Sequence, residues 1–174
     1  MRKSILLLFI SFYSLSLFAQ RPCSSPEYRQ FDFWIGEWEA FGKNGKKAGD
    51  SKISLILDSC TILEEWTSAN VQQGLRYSGK SFNMYNAANK TWQQYWIDNT
   101  GSVTNYNSGK YLNGKLVYQT ENVKVNDTTW LMQRLTFYNL GKDKVRQHGE
   151  NSGDGGKTWV TSYDLEYRRK AVSQ

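Results

Sequence analysis

Residues 91–98 of the chain, Thr-Trp-Gln-Gln-Tyr-Trp-Ile-Asp, carry the alternation that decides the fold. In a β-strand, side chains two positions apart point to the same face. One face of this segment carries Trp92, Gln94, Trp96 and Asp98. A strand that faces a dry core would carry Val, Ile or Leu there, and a strand that faces water would not expose two indoles. Aromatic and polar groups on one surface are typical of a binding cavity, so the pattern predicts a strand that lines a wet, aromatic interior.

Similar short alternating runs, separated by turn residues, follow one another along the whole chain, and no long segment repeats at helical spacing. Asn44-Gly45 and Asn113-Gly114 are strong hairpin turns. We expect about ten strands, over residues 33–41, 51–57, 61–68, 78–85, 91–98, 103–111, 115–125, 129–138, 145–151 and 158–168. A loop is expected over 70–76 and a short helix over 27–30.

Nearly all of these strands are joined by short connections, so neighbours in sequence are expected to pair antiparallel as a meander. An open meander leaves two unpaired edges, which are prone to aggregation. Closure removes both edges. We therefore predict an all-β fold, an up-and-down antiparallel barrel. A β-sandwich is the alternative, but its Greek-key crossings need longer connections than this sequence contains.

The parity of each strand decides which side chains line the barrel. The parity that puts Trp38 inside gives a polar, aromatic interior. The residues then predicted to bind a ligand are Glu64, Trp66, Ser81, Asn83, Tyr85, Gln94, Trp96, Asp98, Arg134, Arg146, His148 and Glu150. A bulge exchanges the two faces of a strand. The opposite parity would place inside Phe82, Met84, Leu131, Leu135 and Phe137.

Arginines and carboxylates share this predicted interior. Buried charges persist only when they are paired, hydrogen-bonded or in contact with water or a ligand. Arg134 and Arg146 are therefore expected either to pair with the carboxylates in a structural network or to contact the ligand. In the second case they would favour an anionic ligand, because guanidinium groups fit carboxylates.

The first residues have the pattern of a secretory signal peptide. Arg2 and Lys3 precede a short apolar run that is dotted with serines and ends at Ala19. A membrane span needs about 20 strongly apolar residues, and neither this run nor any later segment meets that requirement. We expect residues 1–19 to be removed and the mature chain to be exported to the periplasm or the extracellular space.

Export places the two cysteines, Cys23 and Cys60, in an oxidising compartment, where we expect them to form a disulfide. The disulfide would tether an N-terminal tail, residues 20–30, to a single barrel domain, residues 31–170. Two cysteines and one histidine are too few for a structural zinc site, and no metal or cofactor is predicted. The mild, scattered positive charge argues against a nucleic-acid partner.

Five spaced motifs cover essentially the whole mature chain. They are Phe31-Asp32-Phe33-Trp34-Ile35-Gly36-Glu37-Trp38, Cys60-x-x-x-Glu64-x-Trp66, Gly79-x-Ser81-x-Asn83-x-Tyr85, Trp92-x-Gln94-x-Trp96-x-Asp98, and Arg146-Gln147-x-x-Glu150-x-Ser152-x-Asp154-x-Gly156-x-Thr158-Trp159. Together they resemble secreted bacterial lipocalin-like proteins that open with Phe-Asp-Phe-Trp-x-Gly-x-Trp. The resemblance implies a calycin-type barrel. In lipocalins the Trp of the Gly-x-Trp element closes the base of the barrel, which is a packing role.

Two weaker resemblances concern single features. The chain is distantly similar to nitrobindins, ten-stranded barrels that hold haem through a histidine, which implies haem binding at His148 as a minor alternative. Residues 152–159 fit the Ser-x-Asp-x-Gly-x-x-Trp pattern of the Asp box of sialidases. In sialidases that box is a hairpin turn remote from catalysis, and we expect a structural turn here.

These patterns favour an exported, non-catalytic protein that binds a small polar or amphipathic molecule in the barrel. The alternative is an enzyme that uses Glu64, Asp98 and Glu150 for acid/base chemistry. No pattern marks a nucleophile, which places the enzyme second. A third hypothesis is an interaction module that binds a protein or the cell envelope through its outer surface or its open end.

Overall fold

The computed structural model describes residues 21–171, so the predicted signal peptide, residues 1–19, lies outside the described residues. Two 3-10 helices, Pro26–Arg29 and Asp32–Trp34, precede the first strand. The strands are β1 (Gly36–Gly42), β2 (Lys47–Ile56), β3 (Thr61–Gln72), β4 (Leu75–Asn86), β5 (Thr91–Asp98), β6 (Val103–Leu112), β7 (Lys115–Gln119), β8 (Val123–Lys124), β9 (Trp130–Asn139), β10 (Lys144–Ser152) and β11 (Val160–Arg169).

Ten of these strands close into an antiparallel barrel. Pairing follows the chain from β1 to β7, then passes to β9, β10 and β11, and returns to β1. The two-residue strand β8 pairs only with the start of β9. The predicted all-β, up-and-down barrel is confirmed, and each wall strand has a neighbour on both sides, which removes the free edges of an open sheet.

Three segments differ from the sequence-based expectation. Residues 70–76, expected as a loop, continue β3 and β4 as a hairpin whose turn uses the positive φ of Gln73 (49°) and Gly74 (80°). The expected strand 115–125 is broken into β7 and β8. β1 starts at Gly36 rather than at residue 33, because Asp32–Trp34 form a 3-10 helix.

The two ends of the barrel differ in how they are filled. At one end, which we call the closed end, the segment before β1 folds under the barrel and buries Phe31 and Trp34 completely. The Phe31 ring centroid lies 4.9 Å from that of Phe137 and 5.0 Å from that of Trp34. A disulfide between Cys23 and Cys60, as predicted, ties this segment to the start of β3. The opposite end, which we call the open end, has no such plug among residues 21–171.

The Gly-x-Trp element lies at the closed end. The buried indole of Trp38 donates to the Trp34 carbonyl over 2.8 Å, and the Arg169 guanidinium lies 4.1 Å above the Trp38 ring. Arg169 also donates to the carbonyls of Ile35 (3.0 Å) and Lys142 (2.9 Å). A Cβ at Gly36, whose φ is +137°, would collide with Arg169 Nη1, so glycine is required at that position. Trp38 therefore has a packing role, as the lipocalin resemblance implies.

Candidate functional site

A cavity of about 290 Å³ occupies the open half of the barrel. This volume is at the lower end of the range of ligand pockets, about 300–1,000 Å³. Aromatic rings and polar groups from seven strands line it. The lining consists of Glu64, Trp66, Tyr77, Gln94, Trp96, Asp98, Thr104, Tyr106, Gln133, Leu135, Gln147, Tyr163, Leu165 and Tyr167. Among the residues predicted from sequence, the structure brings together here Glu64, Trp66, Gln94, Trp96 and Asp98.

Glu64 is the buried carboxyl group of this cavity. Its side chain is 2% exposed, Oε1 accepts a hydrogen bond from Ser51 Oγ at 2.9 Å, and Oε2 accepts one from Ser81 Oγ at 3.0 Å. Burial raises the pKa of Glu64 to about 7, although the hydroxyls of Ser51, Ser81 and Tyr167 beside it act in the opposite direction. In the described part of the chain, no Lys or Arg forms an ion pair with Glu64.

A chain of hydrogen bonds behind the cavity wall fixes Glu64. Asn83 donates to Ser81 Oγ at 2.9 Å, and its Oδ1 accepts from Gln94 Nε2 at 2.8 Å and from the Tyr118 hydroxyl at 3.2 Å. Ser81 and Asn83 are fully buried. These two residues, predicted to bind a ligand, thus contact the network that supports the wall rather than the cavity itself.

Tyr85, also predicted to bind a ligand, lies at the closed end. Its ring centroid is 5.3 Å from that of Tyr28, in the first 3-10 helix, and 6.0 Å from that of Trp92. Tyr85 therefore packs the N-terminal segment onto the barrel and does not line the cavity.

Asp98 holds two rings in place at the mouth of the cavity. Its Oδ2 accepts hydrogen bonds from the Tyr77 hydroxyl at 3.0 Å and from Trp96 Nε1 at 3.2 Å. Its Oδ1 accepts from the Thr100 backbone N–H at 2.8 Å. Burial acts against ionisation, but the hydrogen bonds from Thr100, Tyr77 and Trp96 prevail and lower the pKa of Asp98 to about 2. Asp98 is thus ionised at neutral pH.

Three rings of the cavity wall lie directly over glycines of the neighbouring strand. At each of these glycines, a Cβ would occupy the space that the ring fills. The rings are thereby held against the backbone, so that the hollow beside them stays open. The pairs are Trp66 over Gly49, Trp96 over Gly79 and Tyr163 over Gly149.

Several lining residues were not predicted from the sequence. On β11, Tyr163, Leu165 and Tyr167 alternate as Trp92, Gln94 and Trp96 do on β5, so this part of the lining carried a usable signal. Gln133 and Gln147 carried none, because an amide side chain is equally at home on either face of a strand.

The predicted parity is wrong on β9 and β10. The inward residues there are Leu135 and Phe137 on β9 and Val145 and Gln147 on β10, all buried. The four predicted site residues of these strands therefore lie on the outer face, namely Arg134, Arg146, His148 and Glu150.

Ion pairing explains this orientation. Arg134 donates two hydrogen bonds to Glu150, at 2.7 and 2.9 Å, and Arg146 donates two to Asp164, both at 2.7 Å. The arginine side chains keep 28% and 36% of their surface exposed, so their charge remains in contact with water. These pairs cost less on the outer face than the same charges would cost inside the barrel.

His148 does not provide a haem ligand inside the barrel. Its Nε2 lies 3.0 Å from Thr161 Oγ1, and Nδ1 lies 3.7 Å from Glu150 Oε2, both on the outer face. The chain contains one histidine, so no histidine lines the cavity to coordinate haem as the nitrobindin resemblance implies.

Residues 152–159 form a structural turn, as expected for an Asp box. The Asp154 carboxylate accepts from the backbone N–H groups of Lys157 (3.0 Å) and Thr158 (2.9 Å) and from Ser152 Oγ (2.8 Å). The Trp159 indole donates to the Gly156 carbonyl, and the Arg134 guanidinium lies 4.1 Å from its ring. The turn thus packs onto the outer ion pairs, away from the cavity.

Within residues 21–171, no group of three or more His, Cys, Asp or Glu side chains is placed to hold a metal ion. No helix in that range is long and apolar enough to cross a membrane.

Comparison with known proteins finds no family model that matches the sequence and no curated protein with significant similarity to it. The closed barrel of ten antiparallel strands is consistent with a calycin- or lipocalin-like fold.

Proposed function

We propose that this protein is an exported, non-catalytic, lipocalin-like binding protein that holds a small molecule at the open end of its barrel. The observation that carries the proposal is the contrast between the two ends. Aromatic side chains fill the closed end completely, whereas the open end keeps a cavity of about 290 Å³ lined by rings and hydrogen-bonding groups. A packed core alone does not need such a hollow.

Export is supported by two features. The first is the signal-peptide pattern of residues 1–19. The second is the disulfide between Cys23 and Cys60, since disulfides persist in oxidising compartments and are rare in the cytosol.

The lining indicates what kind of molecule fits. Ring faces of Trp66 and Trp96 suit a flat apolar part, and the amides of Gln94, Gln133 and Gln147 suit polar substituents. The arginines that would have favoured an anion lie on the outer face. No basic residue lines the cavity, which argues for a neutral or cationic ligand.

Native mass spectrometry of the mature protein, purified from its own host, tests this function. We expect a bound small molecule in the wild-type protein and its loss in Trp66→Ala, which removes a cavity ring. Trp130→Ala is the matched control, because Trp130 is 44% exposed at the start of β9 and does not line the cavity. A protein that carries no small molecule, and whose tryptophan fluorescence does not respond to a metabolite extract of the host, would contradict the proposal.

One observation favours the enzyme alternative. A general acid or base works best with a pKa near the operating pH, and burial raises the pKa of Glu64 to about 7. The predicted trio of carboxylates is not assembled, because Glu150 lies outside the barrel and Asp98 is bound by five donor groups. An enzyme would thus rely on Glu64 alone, and Glu64→Gln would abolish turnover of the co-purified molecule while leaving it bound.

A further inference from the structure

We propose that the cavity selects an organic ammonium ion, with Glu64 as its counter-ion and the aromatic rings of the wall around its positive charge. The inference rests on the proposed binding function and names the class of ligand that the site takes. Three features of the site support it. Glu64 lacks a positive partner, aromatic rings lie beside it, and no basic residue lines the cavity.

Glu64 lacks a positive partner. An ionised carboxylate offers about four acceptor positions, and the hydroxyls of Ser51 and Ser81 occupy two of them. Burying an ionised group is costly unless an opposite charge compensates it. Nowhere in residues 21–171 is Glu64 within ion-pair distance of a basic side chain, whereas the cavity lies directly beside it. A cation in the cavity would supply the missing charge.

The wall beside Glu64 is suited to a cation with apolar substituents. The face of an indole or phenol ring attracts a positive charge within about 6 Å. Trp66, Trp96 and Tyr163 lie against glycines of the neighbouring strands and line the hollow. A cation in the hollow therefore meets aromatic rings as well as the Glu64 carboxyl group. Ammonium groups that carry methyl or methylene groups gain from such rings, while a bare inorganic cation gains less.

The charge of the lining also favours a cation. The cavity contains two carboxyl groups, Glu64 and Asp98, and no basic residue, although the whole chain has a formal net charge of +6. A recessed site with one sign of charge concentrates ligands of the opposite sign and rejects those of the same sign. A neutral sugar or alcohol would use the glutamine amides of the wall but would gain nothing from this charge.

Choline and 3,3-dimethylbutan-1-ol provide a test, because they have nearly the same shape and differ by one permanent positive charge. The anion 3,3-dimethylbutanoate completes the series. We would titrate each into the mature wild-type protein and follow binding by tryptophan fluorescence and calorimetry at pH 5.5 and pH 8.5. At pH 8.5 we expect choline to bind at least about tenfold more tightly than the alcohol, and at pH 5.5 we expect most of this preference to be lost.

The pH comparison isolates Glu64. The groups that face it are Ser51 from β2, Ser81 from β4 and Tyr167 from β11, and the other ionisable lining groups are Tyr77, Asp98, Tyr106 and Tyr163. Asp98 is ionised at both pH values because its pKa is about 2. Burial raises the pKa of Tyr77 and Tyr106 to about 12 and that of Tyr167 above its usual value, so these phenols stay neutral. Choline itself does not titrate.

Two variants refine the test. Glu64→Gln keeps the size of the side chain, since its amide can donate to Ser51 Oγ and its carbonyl can accept from Ser81 Oγ. We expect this variant to lose most of the preference for choline over the alcohol and to show the same residual preference at both pH values, because Asp98 and the rings remain. Glu65→Gln is the matched control, because Glu65 lies on the other face of β3 and pairs with Lys80 at 2.8 Å. It should retain the preference for choline.

The alcohol or the butanoate binding as tightly as choline at pH 8.5 would overturn the ammonium preference and leave the binding function intact. No response of the folded wild-type protein to any of the three probes would overturn it as well. In that case the molecule found by native mass spectrometry still decides, separately, whether the barrel is a binding protein.

Discussion

At the scale of single residues, the protein concentrates its unusual chemistry at Glu64. Most acidic side chains of the described chain lie near water or beside a lysine or arginine, as Glu150 and Asp164 do. Glu64 is instead held by two serine hydroxyls in a buried position. Its protonated and ionised forms therefore differ strongly in free energy, and this difference is measurable in stability as well as in binding.

The first prediction concerns the pH dependence of folding. The pKa of Glu64 is about 7 in the folded protein and about 4.3 in an unfolded chain. Between these values the folded state binds more protons than the unfolded state, so stability falls as the pH rises from about 4.5 to about 7. We expect wild type to lose about 3 kcal/mol of unfolding free energy relative to Glu64→Gln over that range, measured by urea unfolding at pH 4, 5.5, 7 and 8. Parallel curves for the two proteins would contradict the burial of Glu64.

The second prediction concerns Asn83, which satisfies three other buried groups. Asn83→Ala would leave Ser81, Gln94 and the Tyr118 hydroxyl without their shared partner. Each unsatisfied buried group costs about 1–3 kcal/mol, so we expect a loss of about 3 kcal/mol or more in chemical denaturation. Asn107→Ala on β6 is the control, because Asn107 is exposed. It should change stability by less than about 0.5 kcal/mol.

At the scale of strands, alternation of side chains predicts the inward face of some strands and not of others. On β5 the inner face is marked by Trp92 and Trp96, and its parity was predicted correctly. On β10 the inner face is Val145, Gln147 and Gly149, which mixes polarities. The outer face is Arg146, His148 and Glu150, which carries the polar side chains expected of the predicted polar interior. Pairing across strands decides which face of β10 points outward, since Arg134 lies opposite Glu150 in the register. A single strand read alone does not contain that information.

β9 was assigned the wrong parity for a related reason. Trp130 was counted as an interior marker, but it lies where β9 extends to pair with β8, at Lys124, and is 44% exposed. The closure of the barrel, by contrast, could be predicted, because it depends only on the number of strands and on short connections. The alternation on β5 predicted a polar, aromatic interior. It did not predict that the segment before β1 fills one end and so confines the cavity to the other.

The third prediction concerns the glycines beneath the aromatic rings. A Cβ at Gly79 would meet the Ile97 carbonyl of the neighbouring strand as well as the Trp96 ring, whereas the three atoms nearest to a Cβ at Gly149 all belong to the Tyr163 ring. A ring can turn away but a strand carbonyl cannot. We therefore expect Gly79→Ala to cost about 1–3 kcal/mol and Gly149→Ala to cost less than about 1 kcal/mol, measured by chemical denaturation.

The same pair of variants also reports on the cavity. In Gly149→Ala the displaced Tyr163 ring should move toward the mouth, weaken binding of the co-purified molecule and change the near-ultraviolet circular dichroism. Equal destabilisation by the two substitutions would show that the strands, rather than the rings, adapt to the added methyl groups.

At the scale of the whole molecule, one end of the barrel holds the packed core and the other end holds the cavity. The closed end holds the buried aromatic cluster around Phe31, Trp34 and Trp38, and the cation of Arg169 covers the last of these rings. The open end has fewer buried apolar groups and contains the hollow. Such a division keeps the proposed binding region from carrying the stability of the barrel, which agrees with the general placement of functional sites in less stable parts of a fold.

The fourth prediction concerns the disulfide that fastens the closed end. Cys23 and Cys60 are 37 residues apart in sequence, and a crosslink that closes a loop of this length stabilises the folded state by about 4 kcal/mol in the chain-entropy treatment. We expect the double variant Cys23→Ser, Cys60→Ser to lose about that amount in urea unfolding. Wild-type protein under reducing conditions should behave like the variant. A reduced protein as stable as the oxidised one would show that the packing of Phe31 and Trp34 fastens the segment by itself.

The seam between β1 and β11 joins Trp38 to Arg169, two residues that are far apart in the sequence. Barrel closure therefore has to wait until β11 has been made and folded. Until then β1 and β10 each expose an unpaired edge, which invites pairing with another copy. Loss of the β11 residues that pair with β1 thus threatens assembly far more than their distance from the hollow suggests.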